Sequence, residues 1–193
     1  MLFALGLDEQ IIGVTEFCDF PAAAKAKSKV GYANPNLESL VALRPELIIA
    51  PREFHRANVL AKLEELKIPV LLLEATSVEN IFSHIHTLGR IFDRSTEAHA
   101  MTAAMRSRMA EISSRTEHLP RIRVLYVINS QPLITVGPGS YIHQMIGLAG
   151  GTNIASGAAT PYPRLTMETV LKEDPEVLIF PMWSVETVPR REQ

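Results

Sequence analysis

YANPNLESLVALRPELIIAP, residues 32–51, and YPRLTMETVLKEDPEVLIFP, residues 162–181, are two copies of one pattern at a constant offset of 130, Tyr32 matching Tyr162. Identities fall at Tyr32 and Tyr162, Glu38 and Glu168, Pro45 and Pro175, Glu46 and Glu176, Ile49 and Ile179, and Pro51 and Pro181. Apolar pairs complete the frame: Leu37 with Met167, Leu40 with Val170, Val41 with Leu171, Leu47 with Val177, and Ile48 with Leu178. Each copy reads as a loop aromatic, a helix start, a short helix, a Pro-Glu turn and a buried strand. Asn36 and Thr166 are good N-caps, because a short side-chain oxygen accepts an N–H that a helix start leaves unpaired. They put Glu38 and Glu168 in the first turn, where a carboxylate meets the positive end of the helix dipole. Shared strand and helix periodicity accounts for the apolar matches but not for Tyr32 with Tyr162. A weaker echo precedes each copy: Leu5-Gly-Leu7 leads to Ile11 and Val14, and Ile146-Gly-Leu148 leads through Gly150-Gly-Thr-Asn to Ile154.

Outward from the repeat, short β-rich runs occur at 11–15, 47–50, 70–73, 124–128, 133–136 and 177–180. Segments with helical spacing separate most of them, which predicts an α/β fold with largely parallel, buried strands. Val59 to Leu66 is one such helix, closed by Pro69. Ile81, Ile85, Leu88, Ile91 and Phe92 form the apolar stripe of another, with Thr76 and Glu79 as its capping box. From Ser95 to His118 there is neither Gly nor Pro, so one long helix is expected, stopped by Pro120. The predicted organisation is an N-terminal α/β lobe over 1–92, a connecting helix over 93–119 and a C-terminal α/β lobe over 120–193. A helical connector is stiffer than a Gly/Ser linker, which limits how far two lobes can open and close.

Composition narrows the function. The 193 residues are 47% hydrophobic and 21% charged with a net charge of −2. That balance supports a packed core and argues against nucleic acid or anionic lipid as a partner. Cys18 is the only cysteine, so no intramolecular disulfide or multi-cysteine metal site is possible, and it reads as a half-buried bystander. No apolar run approaches the ~20 residues that span a bilayer. The start, Met1 to Leu7, lacks the basic region and small-residue cleavage site of a signal peptide, and the residues before Cys18 do not form a lipid-attachment box. His84 and His86, two apart on a helix, face different ways and make no metal signature. Gly137-Pro-Gly139 and Gly150-Gly151 read as turns, since neither has the spacing of a phosphate-binding loop.

Seven segments, several overlapping the repeat, carry a family resemblance. Val14-Thr-Glu-Phe-Cys-Asp-Phe-Pro21, then 29–38 and 42–50, resemble the first lobe of the periplasmic cobalamin and ferric-siderophore binding proteins of ABC importers. Gly147-Leu-Ala-Gly-Gly-Thr-Asn-Ile154, Pro161-Tyr-Pro163, 166–171 and 174–179 resemble the second lobe. The resemblance covers nearly the whole chain, with the motifs in order. It implies a class III periplasmic binding protein: two Rossmann-like lobes with mainly parallel sheets joined by one long rigid helix, and a chelate ligand held in the cleft between them.

By resemblance the ligand is a corrinoid such as cobalamin, with a ferric siderophore or haem as alternatives, captured without catalysis and delivered to a permease/ATPase complex. The positions matching the family's ligand-contacting aromatics are Phe17, Tyr32 and Tyr162, and rigid rings suit the broad face of a macrocycle. Pro51 and Ile134 stand where aromatics occur in the family; Arg52 and His55 follow in the same loop and offer cations to an anionic chelate. Tyr32 or Tyr162 would serve haem as an axial oxygen ligand. Glu38 and Glu168 match the glutamates that dock on arginines of the permease. Two readings of other kinds stand beside this one: a chelatase-like tetrapyrrole enzyme on a similar fold, and a degenerate relative that binds nothing. Against the family pattern the chain is short at both ends. An incomplete C-terminal lobe with an open sheet edge is therefore expected, and with it a homodimer. The resemblance implies a periplasmic or cell-surface location.

Overall fold

The structure is a computed structural model and describes residues 1–31, 35–52 and 57–181. A 3-10 turn, Leu2–Leu5, precedes β1 (Gly13–Val14), α1 (Ala22–Lys25), β2 (Ser28–Lys29), α2 (Leu37–Ala42), β3 (Ile48–Pro51), α3 (Ala57–Glu65) and β4 (Val70–Leu73). Next come α4 (Val78–Ile91) and α5 (Ser95–Thr116), then β5 (Ile122–Tyr126), β6 (Asn129–Ser130), β7 (Leu133–Ile134), α6 (Tyr141–Leu148), β8 (Gly151–Asn153), α7 (Met167–Glu173) and β9 (Val177–Ile179). The fold is mixed α/β with mainly parallel sheets: β1 with β2, β3 with β4, and β8-β5-β9 are parallel, and among the described strands only β6 with β7 is antiparallel.

The repeat survives into backbone detail. Asn36 accepts the Ser39 N–H and Thr166 accepts the Thr169 N–H, each at 3.1 Å, so both caps form as their side chains dictate. Arg44 and Asp174, the matching residues just before the Pro-Glu turn, have φ of +49° and +44°. Left-handed non-glycine residues are uncommon. The proline that follows each one disfavours the right-handed α region, so neither helix can continue. Among the described residues only the second turn is clamped: the Arg123 guanidinium reaches Asp174 at 3.0 Å and Glu176 at 3.4 Å.

Contacts divide the chain into two compact units, Met1–Glu74 with Ile81–Thr102, and Ala75–Asn80 with the residues from Ala103 on. The division thus falls inside α5. In the first unit α5 meets α4 through Thr102, whose hydroxyl lies 3.1 Å from His86 Nε2. In the second, Arg106 pairs with Glu79. The first unit buries Leu5, Leu7, Ile11, Leu40, Leu63, Phe82, Ile85 and Leu88; the second buries Val124, Leu125, Val127, Val136 and Ile146.

Several sequence expectations need correction. The buried stripe of α4 is Phe82, Ile85 and Leu88 rather than Ile81, Ile85 and Leu88, and Ile91 is exposed. The helix ends at Ile91 and the chain turns through Asp93, at φ +53°, into α5. Ser77, not Thr76, caps α4, its hydroxyl accepting the Asn80 N–H at 3.0 Å; this leaves Glu79 to pair with Arg106. The helix α3 stops before Pro69 because Lys67 turns left-handed (φ +57°) and the Ile68 N–H returns to the Leu63 carbonyl. The run 133–136 enters an antiparallel hairpin. β9 is exposed along its length; among the described residues it pairs only with β5.

An apolar groove of about 590 Å³ runs along the first unit beside β1 and β3, lined by Leu7, Ile12, Val14, Leu43 and Ile48 among others. Phe17 and Arg52 are not among its walls.

Candidate ligand-binding site

Parallel strands send all their carboxyl ends to one edge, and the loops there are where open α/β sheets bind ligands. At the end of β1 a tight turn closes with the Cys18 N–H on the Thr15 carbonyl at 3.1 Å, and Cys18 Sγ lies 3.3 Å from Thr15 Oγ1. Lys29 braces the turn by donating to the Cys18 and Ala24 carbonyls. Cys18 is therefore a partly buried part of the loop's own bonding. Phe17, carried on this turn, is 69% exposed, and Phe20 just beyond it is 88% exposed. Two neighbouring aromatics held in water by a braced loop are what a ligand-facing surface looks like. Phe20 was missed from sequence; its place in the Cys-Asp-Phe-Pro stretch was the available signal.

The next two strands end on a charged pair. The register of β3 with β4 runs from Ile48 opposite Val70 to Pro51 opposite Leu73. One step further puts Arg52 opposite Glu74, and their side chains meet at 3.7 Å while both stay about half exposed. His84 Nε2 stands 3.1 Å from the Glu74 nitrogen and 2.8 Å from its carbonyl oxygen, fixing that residue's backbone. Tyr32 and His55 lie outside the described residues. Glu74 was not legible as a site residue, because only the pairing of β3 with β4 brings it to Arg52.

In the second unit Tyr162 sits on an extended segment laid antiparallel against 133–137. The Pro163 carbonyl accepts from the Thr135 N–H, the Pro161 carbonyl from the Gly137 N–H, and the Leu165 N–H donates to the Leu133 carbonyl. The backbone on both sides of Tyr162 is thus pinned, and its ring is 46% exposed. Beneath this layer the buried Thr135 hydroxyl donates to the Tyr126 carbonyl at 2.6 Å. Burial, and secondarily the neighbouring Tyr141, push the Tyr126 phenol above its usual range.

Glu38 and Glu168 occupy the same position, two residues past their N-caps, and both are exposed. Neither forms an ion pair among the described residues. Three histidines are occupied elsewhere: His86 packs edge-on against His99 with ring centroids 4.5 Å apart, and His143 Nδ1 lies 3.0 Å from the Asn153 amide. That buried amide also donates to the Val136 carbonyl, and its oxygen accepts the Ala155 N–H. The Gly-Gly-Thr-Asn stretch therefore knits β8 to its surroundings. Gly150 makes the turn, at φ +81°. Among the described residues no group of three His, Cys, Asp or Glu side chains is placed to hold a metal. No helix among them is long and apolar enough to cross a membrane.

Residues 1–193 match the family described as periplasmic binding protein. The chain belongs to this family. The vitamin B12-binding protein of Vibrio vulnificus is 30% identical over 198 residues, an alignment covering 97% of this chain and 72% of that protein. The crystal structure of the periplasmic vitamin B12 binding protein BtuF of Vibrio cholerae superposes with a TM-score of 0.81 at 25% identity, covering 98% of this chain and 74% of that one. A periplasmic heme binding protein from Pseudomonas aeruginosa gives a TM-score of 0.84 at 26% identity, over 93% of this chain and 66% of that one. These relatives are named as binding proteins, not as enzymes.

Proposed function

We propose that this protein is the ligand-capturing component of an ABC importer, that it acts in the periplasm, and that its ligand is a corrinoid of the cobalamin type. The observation that carries the reading is Phe17, a 69% exposed ring on a braced loop at the carboxyl end of a parallel strand. An exposed ring in the free protein covers a macrocycle face at little entropic cost, since it has only two side-chain torsions to fix. We assign ring contacts to Phe17, Tyr32 and Tyr162, polar contact to Arg52, and permease docking to Glu38 and Glu168. The organisation that goes with this is a lobe over 1–92, a connecting helix over 93–119 and a lobe over 120–193. The relatives named for vitamin B12 support the ligand class. The relative named for heme supports haem as the second reading, with a tyrosine oxygen as an axial ligand.

Titration with cyanocobalamin, hemin and a ferric siderophore, followed by absorbance and calorimetry, tests the assignment. Saturable binding of cyanocobalamin that weakens in Phe17→Ala and Tyr162→Ala, with unfolding curves unchanged, is the expected result. Binding of none of the three refutes the transport reading.

A further inference from the structure

We propose that Glu74, through its pairing with Arg52, is a specificity-determining residue that selects ligands with neutral amides at their periphery against ligands with carboxylates. The inference rests on the ligand-binding reading above and sharpens its substrate class.

Arg52 by itself would attract an anionic chelate. The strand register does not leave it by itself: continuing the pairing of Pro51 with Leu73 puts Glu74 directly across from Arg52, with the charged groups at 3.7 Å. His84, against the Glu74 backbone, holds the partner at that position. An incoming carboxylate would have to displace Glu74 from Arg52 and then lie beside it, a like-charge contact that grows costlier as water leaves. A primary amide meets no such conflict. Its carbonyl oxygen accepts from the guanidinium while its NH₂ donates to the carboxylate, so both members keep a partner and the pair stays charge-balanced. Both side chains are about half exposed, so they are reachable by a ligand and their replacement does not open the core.

The test uses the intact protein and its Glu74→Gln variant. Each is titrated with cyanocobalamin and with the three separated cyanocobalamin monocarboxylic acids, in which one peripheral amide is hydrolysed. The wild type should bind at least one monoacid about five- to tenfold more weakly than cyanocobalamin, the factor carried by one screened like-charge contact. Glu74→Gln should remove most of that difference, read as the ratio of the monoacid and cyanocobalamin dissociation constants in each protein. Equal discrimination in wild type and variant, or none in the wild type, overturns the role of Glu74 but leaves the cobalamin reading standing. Failure of the wild type to bind cyanocobalamin, or a preference for hemin with its two carboxylates, overturns both.

Discussion

Replacing Gly89 by alanine tests the packing of α4 against the start of α5. A Cβ built at Gly89 lies 2.6 Å from the Ala98 Cβ and 3.0 Å from the Arg94 carbonyl oxygen. Carbon atoms prefer about 3.5–4.0 Å, so the overlap is roughly 1 Å. Both obstructing atoms are backbone or fixed to it, and no flexible side chain can yield. Ala98 is fully buried, so the helices must separate. Overpacking of this kind costs about 1–3 kcal/mol. Intrinsic helix propensity works the other way, since alanine gains about 1 kcal/mol over glycine inside a helix. The expected net effect is a loss of about 1 kcal/mol, near 2–4 °C in Tm for a chain of this size. Gly147→Ala in α6 is the control, because nothing lies within 4 Å of its added Cβ. There only propensity acts, and stability should rise by up to about 1 kcal/mol. Urea unfolding followed by far-ultraviolet circular dichroism, with midpoints compared at unchanged slope, reads both. If Gly89→Ala is as stable as the wild type or more so, the close approach of the two helices is wrong.

Asn36→Ala and Thr166→Ala should each cost about 1 kcal/mol, and unfolding titrations showing no change would mean these caps do not form in solution. Because the folded Tyr126 pKa is raised, its contribution is fully present below the unfolded value near 10 and is lost as pH rises through the folded value. Thermal scans should therefore show wild-type stability falling above about pH 10 more steeply than that of Tyr126→Phe, and parallel curves would refute the burial. Replacing Glu38 and Glu168 together by alanine should leave cyanocobalamin affinity intact and reduce uptake in transport-competent vesicles. An equal loss of binding would remove the docking assignment.

The parts of this protein that sequence alone determined are those set within a few residues. The Asn36 and Thr166 caps act over three positions, and the proline after Arg44 and after Asp174 bars the right-handed α region there, so each helix stops. The unbroken α5 needs only the absence of Gly and Pro between Ser95 and Thr116. The repeat joined these local signals into α/β units and matched Glu38 with Glu168. Tertiary structure decided what depends on partners distant in the chain. Which neighbour of the 81–82 pair faces inward on α4 was set by its packing, and Phe82 won. That β9 is exposed goes with its having β5 as its one strand partner among the described residues. Arg52 and Glu74 meet because β3 and β4 pair in one register out of several. A one-residue slip would turn every side chain on these strands to the opposite face. Local rules cannot set that register; the packing of the first unit does, and it brings an arginine that reads as an anion site into an ion pair with Glu74.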